Sequence, residues 1–153
     1  MLFRSALATD VLARADAKRL LIVGTGEEAW YHARALAHVR AFESIGVWGR
    51  NPAHATKLVA RLAAAELPHA PTIAAVDDLA TAFAAADVAC TVTSAKAPFV
   101  DGAWLPAGLH LNLVGSAIPT TAEVDVETVR RGKFFVDYRE AALARSEEHT
   151  SEL

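Results

Sequence analysis

Cysteine is almost absent: Cys90 is the single one among 153 residues. One thiol excludes an internal disulfide framework and fits a reducing, cytoplasmic setting. No apolar run approaches the length of a membrane span, so no membrane partner is expected. The N-terminus does not read as a signal peptide, because Asp10, Arg14, Asp16 and Lys18 interrupt it early. A clustered basic stripe is missing and the net charge is -3, which leaves no electrostatic footprint for nucleic acid. The six histidines show no metal-ligand spacing, and neither HExxH nor a cysteine pair occurs, so no metal is expected. GxSxG is absent and no Ser/His/Asp arrangement stands out. There is no internal repeat.

What is present begins with length and apolar content. The chain is one domain's worth, and 53% hydrophobic residues are ample for a core. Leu20-Leu21-Ile22-Val23 is an apolar run suited to a strand buried on both faces. Gly24-Thr25-Gly26-Glu27-Glu28-Ala29 follows it and has the form GxGxxA, a variant of the dinucleotide-binding fingerprint. Gly24 permits the tight turn, Gly26 lets a pyrophosphate approach the backbone, and Ala29 lets helix and strand pack closely. The N–H groups and dipole of the next helix then face the phosphates. Glu27 and Glu28 would repel them unless both side chains point to solvent.

The rest of the chain supplies context for that turn. A helix is expected over Leu2 to Ala15, with Leu2, Phe3, Ala6, Leu7, Val11 and Leu12 near one face. Strands follow at Arg19 to Val23, Ser44 to Trp48, Thr72 to Ala74, Asp87 to Val92, Leu109 to Val114 and Lys133 to Asp137. Between them come helices from Glu27 to Val39, from Pro52 to Ala65, from Asp77 or Asp78 to Phe83, and from an Asp125 cap to Arg131. Pro119 to Glu123 reads as irregular. Alternation of strands with helices, joined by short links, predicts a single-domain α/β fold, a doubly wound parallel sheet of the Rossmann type with strand order 3-2-1-4-5-6.

Candidate site residues lie at the carboxyl ends of these strands. The second strand ends in Trp48-Gly49-Arg50-Asn51, without the carboxylate that holds ribose hydroxyls in NAD-preferring domains. Arg50 stands 24 residues beyond Gly26 and suits a 2′-phosphate. NADP(H) is therefore expected over NAD(H), with a solvated arginine as the alternative. Thr93 and Ser94 end the fourth strand beside the topological switch point, where their hydroxyls either meet ribose or nicotinamide or merely form a turn. Gly115 and Ser116 end the next strand and carry the same two readings. Lys96 reads as a surface residue, and His32 as a packed or partly exposed one. Any chemistry would be the cofactor's, with the protein positioning it.

Four segments also resemble a known family: LIVGTGEEAWYHARAL, VWGRN, ADVACTVTSAKAPFVDGAWLPAGLHLNLVGSAIPTTAEVD and FFVDYREAAL. Together they are similar to the ornithine cyclodeaminase/mu-crystallin family, from about Ser5 to Ala144. The resemblance implies an NAD(P)(H)-binding domain of ornithine cyclodeaminases, alanine dehydrogenases or cyclic-imine reductases. Mu-crystallin-like members bind NADPH and thyroid hormone. Gly24, Thr25, Gly26 and Ala29 match the pyrophosphate turn, and Arg50 and Asn51 the adenosine-end loop of NADPH-using members. Thr93 and Ser94 match the turn near the nicotinamide, and Val114, Gly115 and Ser116 the strand end beside it. Ornithine cyclodeaminases place a catalytic aspartate two residues after the glycine matching Gly115, where this chain has Ala117. An imine or ketimine reductase, or an amino-acid dehydrogenase acting on a small amino or imino acid, is therefore expected. True ornithine cyclisation and non-enzymatic NADPH-dependent binding are the alternatives.

The resemblance implies an N-terminal substrate and dimerisation region, supplying arginine and lysine residues for the substrate carboxylate and for catalysis, that is expected to be missing here; the family's Arg-Thr pair at the head of the linking helix has no match in Met1 to Arg4. The expected organisation is a linking helix over 1–18, the cofactor domain over 19–144 and a tail over 145–153. That tail resembles the in-frame translation of a sequencing adapter and is expected to have no role. A homodimer is expected when the protein is full length, and the fragment alone is expected to be inactive. Leu2, Phe3, Leu7 and Val11, with the loop carrying Phe99 and Trp104, are expected to be exposed apolar surface that meets the absent half or a partner subunit.

Overall fold

The computed structural model describes residues 2–115 and 120–136. Helix α1 (Leu2–Leu12) leads into strand β1 (Arg19–Val23), helix α2 (Glu27–Val39), strand β2 (Ser44–Trp48) and helix α3 (Pro52–Ala63). Strand β3 (Thr72–Ala75), helix α4 (Leu79–Ala85), strand β4 (Val88–Thr91), strand β5 (His110–Leu113) and helix α5 (Val126–Arg131) complete the order. All four strand pairings are parallel, in the order β3-β2-β1-β4-β5. This is the expected Rossmann-like sheet with one strand fewer. Lys133 to Val136 form no strand, and Phe134, Phe135 and Val136 are exposed; Asp137 lies outside the described residues. An apolar triplet without a partner edge gains no ladder hydrogen bonds, and its composition alone could not reveal that.

Alternation along the central strands splits the core into two layers. Leu20 and Ile22 join residues of α2 and α3 on one face, including Ala33, Leu36, Leu58 and Leu62. Leu21 and Val23 join Phe83, Ala89 and Val100 on the other. Small residues at Ala29, Ala33 and Ala37, all fully or almost fully buried, let α2 lie close on the sheet. Helix starts follow the local rules: Asn51 Oδ1 accepts from the Ala53 N–H (3.0 Å), Asp78 Oδ1 from Thr81 (2.8 Å) and Asp125 Oδ1 from Thr128 (2.8 Å). Arg61 of α3 sits over the Trp30 ring of α2 at 4.1 Å, with Arg34 at 5.2 Å, which ties the two helices at their surface.

Helix α1 ends at Leu12, short of Ala15, and it is docked by its polar side. Ser5 and Thr9 are buried, whereas Phe3, Leu7 and Val11 are 87%, 59% and 68% exposed. Asn112 Nδ2 of β5 donates to Thr9 Oγ1 (2.9 Å), and Arg40 donates to the carbonyls of Asp10 (2.6 Å) and Ala13 (3.0 Å). The expected exposed stripe is therefore present on α1, with Leu2 half-buried. The loop is different: Phe99 stacks on Trp48 (6.0 Å between centroids), and both Phe99 and Trp104 are half-buried against the second core layer.

At the amino edge of the sheet, Asp87 clamps β4 to β1. Its Oδ2 accepts from the N–H groups of Lys18 and Arg19 (both 2.9 Å), its Oδ1 from Arg19 Nη2 (2.8 Å), and Arg14 bonds it as well. The Arg19 guanidinium, helped by the backbone donors, holds the carboxyl well below the usual carboxylate range although burial opposes this. Asp87→Asn is expected to cost on the order of 2 kcal/mol at neutral pH in urea unfolding. A lowered folded-state value means the stabilisation is present above the unfolded value and lost as pH falls towards the folded one. The difference between wild type and variant should shrink below about pH 4. A difference unchanged between neutral and acid pH would overturn this account.

Candidate functional site

The carboxyl edge of the sheet carries the candidate residues. At the end of β1, Gly24 takes φ +134°, and a Cβ there would lie 2.9 Å from both Cγ2 and the carbonyl oxygen of Val92. Only glycine fits that crossing of the β1 turn over the end of β4. The Gly24 N–H donates to the Trp48 carbonyl (2.9 Å), joining the ends of β1 and β2. Thr25 lies against Gly49, where a Cβ would run into its Cγ2. Gly26 is the N-cap of α2 and no side chain caps the helix. A Cβ on Gly26 would meet nothing within 4 Å, so its missing side chain leaves open space directly over the first turn. Ala29 is fully buried beneath it.

Both glutamates of that turn are exposed, and Glu27 is paired. Arg61 grips it with two hydrogen bonds (2.7 and 3.2 Å), which hold the Glu27 carboxyl below its ordinary value. The carboxylate is thereby directed to α3 and its charge partly offset, while the backbone N–H groups stay open to an anion. Glu28 Oε2 stands 3.4 Å from His32 Nδ1. His32 is fully buried, with Nδ1 bonded to the Glu28 carbonyl at 2.8 Å. Lys96 is exposed. Neither is placed for acid–base work.

At the end of β2, Asn51 is occupied in capping α3, whereas Arg50 is exposed and makes no hydrogen bond or ion pair with another described residue. Its guanidinium is therefore available to an external anion. Gly49, Arg50 and the Gly24–Ala29 turn share one edge of the sheet.

A cleft of about 400 Å³ opens further along that edge. Glu28 and Tyr31 of α2 line one side, and Val92, Thr93, Val114 and Gly115 line the other. The cleft thus brings Glu28, in the first turn of α2, together with three of the residues expected at the ends of β4 and β5, whereas Gly24, Thr25 and Gly26 do not line it. Ser94 is exposed beside them. Ser116 and Ala117 lie outside the described residues.

The group that organises this wall is one that spacing did not single out. Glu123 is fully buried. Its Oε1 accepts from the Thr93 N–H and the Thr93 hydroxyl (both 2.7 Å), and its Oε2 accepts from the Thr91 hydroxyl (2.7 Å) and the Gly115 N–H (2.9 Å). The Thr93 hydroxyl is therefore donated inward, and its oxygen accepts from the Ala95 N–H at 3.3 Å. A Cβ on Gly115 would run into the Thr93 carbonyl and Glu123 Oε1. Glu123 sits in the segment read as irregular, of which residues 120–123 are neither helix nor strand; Pro119 lies outside the described residues. No local pattern marks a carboxylate whose donors lie up to 32 residues away; only the resemblance across Glu123-Val124-Asp125 touched it. Burial and the Glu123 charge push the Cys90 thiol upward, burial being the larger cause, so it is no nucleophile.

The model of the ornithine cyclodeaminase/mu-crystallin family matches residues 4–150. The chain belongs to that family. Family members similar to it include the Delta(1)-pyrroline-2-carboxylate reductase of Paracoccus denitrificans, 37% identical over 140 residues, 91% of this chain and 43% of the relative. The ketimine reductase mu-crystallin of Mus musculus is 32% identical over 142 residues, 93% of this chain and 43% of the relative. Among solved family structures, the Thermococcus litoralis Delta(1)-pyrroline-2-carboxylate reductase, in complex with NADH and L-proline, aligns with a TM-score of 0.86 and 33% identity. That alignment covers 93% of this chain and 43% of the other. The chain thus spans less than half the length of these relatives.

The two glycines should separate packing from ligand space. Gly115→Ala must displace the Thr93 carbonyl or the Glu123 carboxylate and should cost roughly 2–4 kcal/mol. Gly26→Ala has room and an accessible backbone conformation, so it should cost less than about 1 kcal/mol, the difference between glycine and alanine at an N-cap. Urea midpoints of the two variants check this; equal losses would refute it.

Proposed function

We propose that this chain is the cofactor-binding part of an NADP(H)-dependent imine or ketimine reductase acting on a small amino or imino acid. The observation that carries the reading is the open space over Gly26 at the uncapped start of α2, in a domain whose relatives include imino-acid reductases. The backbone N–H groups from Thr25 to Ala29 would hold the pyrophosphate, favoured by the helix dipole. Gly49, Arg50 and Asn51 would face the adenosine end, and Thr93, Ser94, Val114, Gly115 and Ser116 the nicotinamide end. When bound, the dinucleotide supplies hydride to the carbon of a C=N bond. The protein's own part in these residues is to orient the cofactor and wall one side of the crevice.

The preference for NADP(H) over NAD(H) rests on Arg50, unpaired and exposed where NAD-preferring domains carry a carboxylate. Ala117, in the place of the cyclodeaminase aspartate, favours reduction over ornithine cyclisation. Activity belongs to the whole protein, since this chain spans 43% of its reductase relatives. We assign residues 1–18 to a linking segment that carries α1, 19–144 to the cofactor domain and 145–153 to a tail without a role; residues 137–153 lie outside the described residues. The apolar stripe of Phe3, Leu7 and Val11 supports contact with the remaining part of the protein or with a second subunit of a homodimer. Among the described residues no helix is long and apolar enough to cross a membrane.

Titration of the chain with NADPH and NADH tests the cofactor reading. NADPH should bind more tightly, and Arg50→Ala should weaken it about tenfold through loss of a charge-assisted contact while leaving NADH within about twofold. Equal affinities unchanged by the variant would remove the NADP(H) preference. A full-length protein with Ala117 should oxidise NADPH with a cyclic imino acid. Conversion of ornithine to proline with release of ammonia would overturn the reductase reading.

A further inference from the structure

We infer that Glu123 is a positioning residue: its buried carboxylate sets the wall of the cofactor cleft at the nicotinamide end, acting through Thr93 and Gly115. The inference rests on the cofactor reading above and adds to it a residue that itself lies behind the cleft wall.

Four donors that reach the Glu123 carboxylate come from two strand ends: the Thr91 hydroxyl and the Thr93 hydroxyl and N–H at the end of β4, and the Gly115 N–H at the end of β5. Thr93 and Gly115 line the cleft; Thr91 is fully buried and does not. The carboxylate is itself anchored from its own backbone. The Glu123 carbonyl accepts from the N–H groups of Phe99 (3.1 Å) and Val100 (3.0 Å), and Val124 forms a parallel bridge with Val100. Glu123 therefore pins both strand ends to a third, independently held segment. The Thr93 N–H and the Gly115 N–H converge on this one carboxylate, the Gly115 N–H being shared with the Thr91 carbonyl (3.2 Å), which fixes where the backbone of Thr93 and Gly115 runs.

An acceptor-only group is what this cluster calls for. A carboxylate offers about four lone-pair sites and no donor. An amide of the same shape would accept at one oxygen and present N–H to the other donors. The Thr91 hydroxyl could rotate away from that conflict, but the backbone N–H groups of Thr93 and Gly115 could not. The wall would have to move or take up water. Because the described donors to Glu123 lie at the ends of β4 and β5, and none of them in the Gly24–Ala29 turn or at Arg50, the effect should fall on the nicotinamide half of a bound dinucleotide and spare the adenosine half. A role in stability alone would make no such distinction.

The test compares NADPH with 2′,5′-ADP, which carries the adenosine half only, on the chain as it stands. Two variants are used: Glu123→Gln and Thr91→Val. The second is isosteric, is placed behind the wall and removes a single donor from the carboxylate. Glu123→Gln should weaken NADPH roughly fivefold or more, and Thr91→Val about twofold to threefold, on the scale of one buried hydrogen bond exchanged for a mismatch. Both should leave 2′,5′-ADP within about twofold, and Thr91→Ser should restore NADPH affinity. Should Glu123→Gln fail to fold, the Thr91 pair decides. Equal weakening of both ligands, or wild-type affinity for both in a folded variant, overturns the role of Glu123 while the cofactor reading stands. A wild-type chain that binds 2′,5′-ADP and NADPH equally well overturns the nicotinamide-end placement, and one that binds neither overturns the cofactor reading and this inference with it.

Discussion

The contact between Gly24 and Val92 is the constraint on which the carboxyl edge depends. With a Cβ excluded by Val92 at 2.9 Å, the chain leaving β1 can pass directly over the end of β4. That crossing places the start of α2 at the point where the strand order reverses, between β1 and β4. From there the consequences are geometric. Ala29 packs fully buried on the sheet, Gly26 is left standing over open space, and the Glu27 carboxylate swings outward within reach of Arg61. A larger residue at position 24 would push the turn away from β4 and dissolve the crevice, whatever happened to the strands below.

Strand β4 is then held from both ends by buried carboxylates doing different work. Asp87 joins its amino end to β1 through two backbone N–H groups and the Arg19 guanidinium, with Arg14 as a further partner. Glu123 joins its carboxyl end to β5 through hydroxyl and backbone donors. The difference follows from position. The amino edge is free to use exposed arginines, and their charge lowers the carboxyl's titration range. The carboxyl edge faces the anionic ligand proposed for the chain.

Much of the fold was legible because its signals are local. The run Leu20 to Val23, the glycine spacing and the caps at Asn51, Asp78 and Asp125 each involve neighbours within a few residues, and each appears where the pattern placed it. The order of the five strands followed from alternation and crossover rules. What escaped notice is long-range. Glu123 meets Thr91 across 32 positions, and Asp87 meets Arg19 across 68. Lys133 to Val136 misled for the converse reason: the composition of a strand is local, but an available edge is not. In the candidate site, the glycines were legible by their type. The direction of the Thr93 hydroxyl was not, since it depends on a carboxylate that no spacing rule connects to it.

Helix α1 shows why apolar periodicity alone cannot decide which face of a helix is inside. Phe3, Leu7 and Val11 recur at helical spacing and would ordinarily mark the buried stripe. The sheet beneath offers Asn112, a polar strand residue 8% exposed, whose amide needs a partner once removed from water. Thr9 supplies it, and Arg40 fastens the helix by its carbonyls. Turning the apolar stripe inward would bury more hydrocarbon but leave the Asn112 amide unsatisfied, at a cost of about 1–3 kcal/mol, and would break the Arg40 contacts as well. Three hydrogen-bonding groups thus orient the helix, and the stripe is displayed as a consequence. An apolar surface that is exposed because the polar side is already committed cannot be covered by rotating the helix. It can be covered only by another surface, which is the physical ground of the proposed contact at α1.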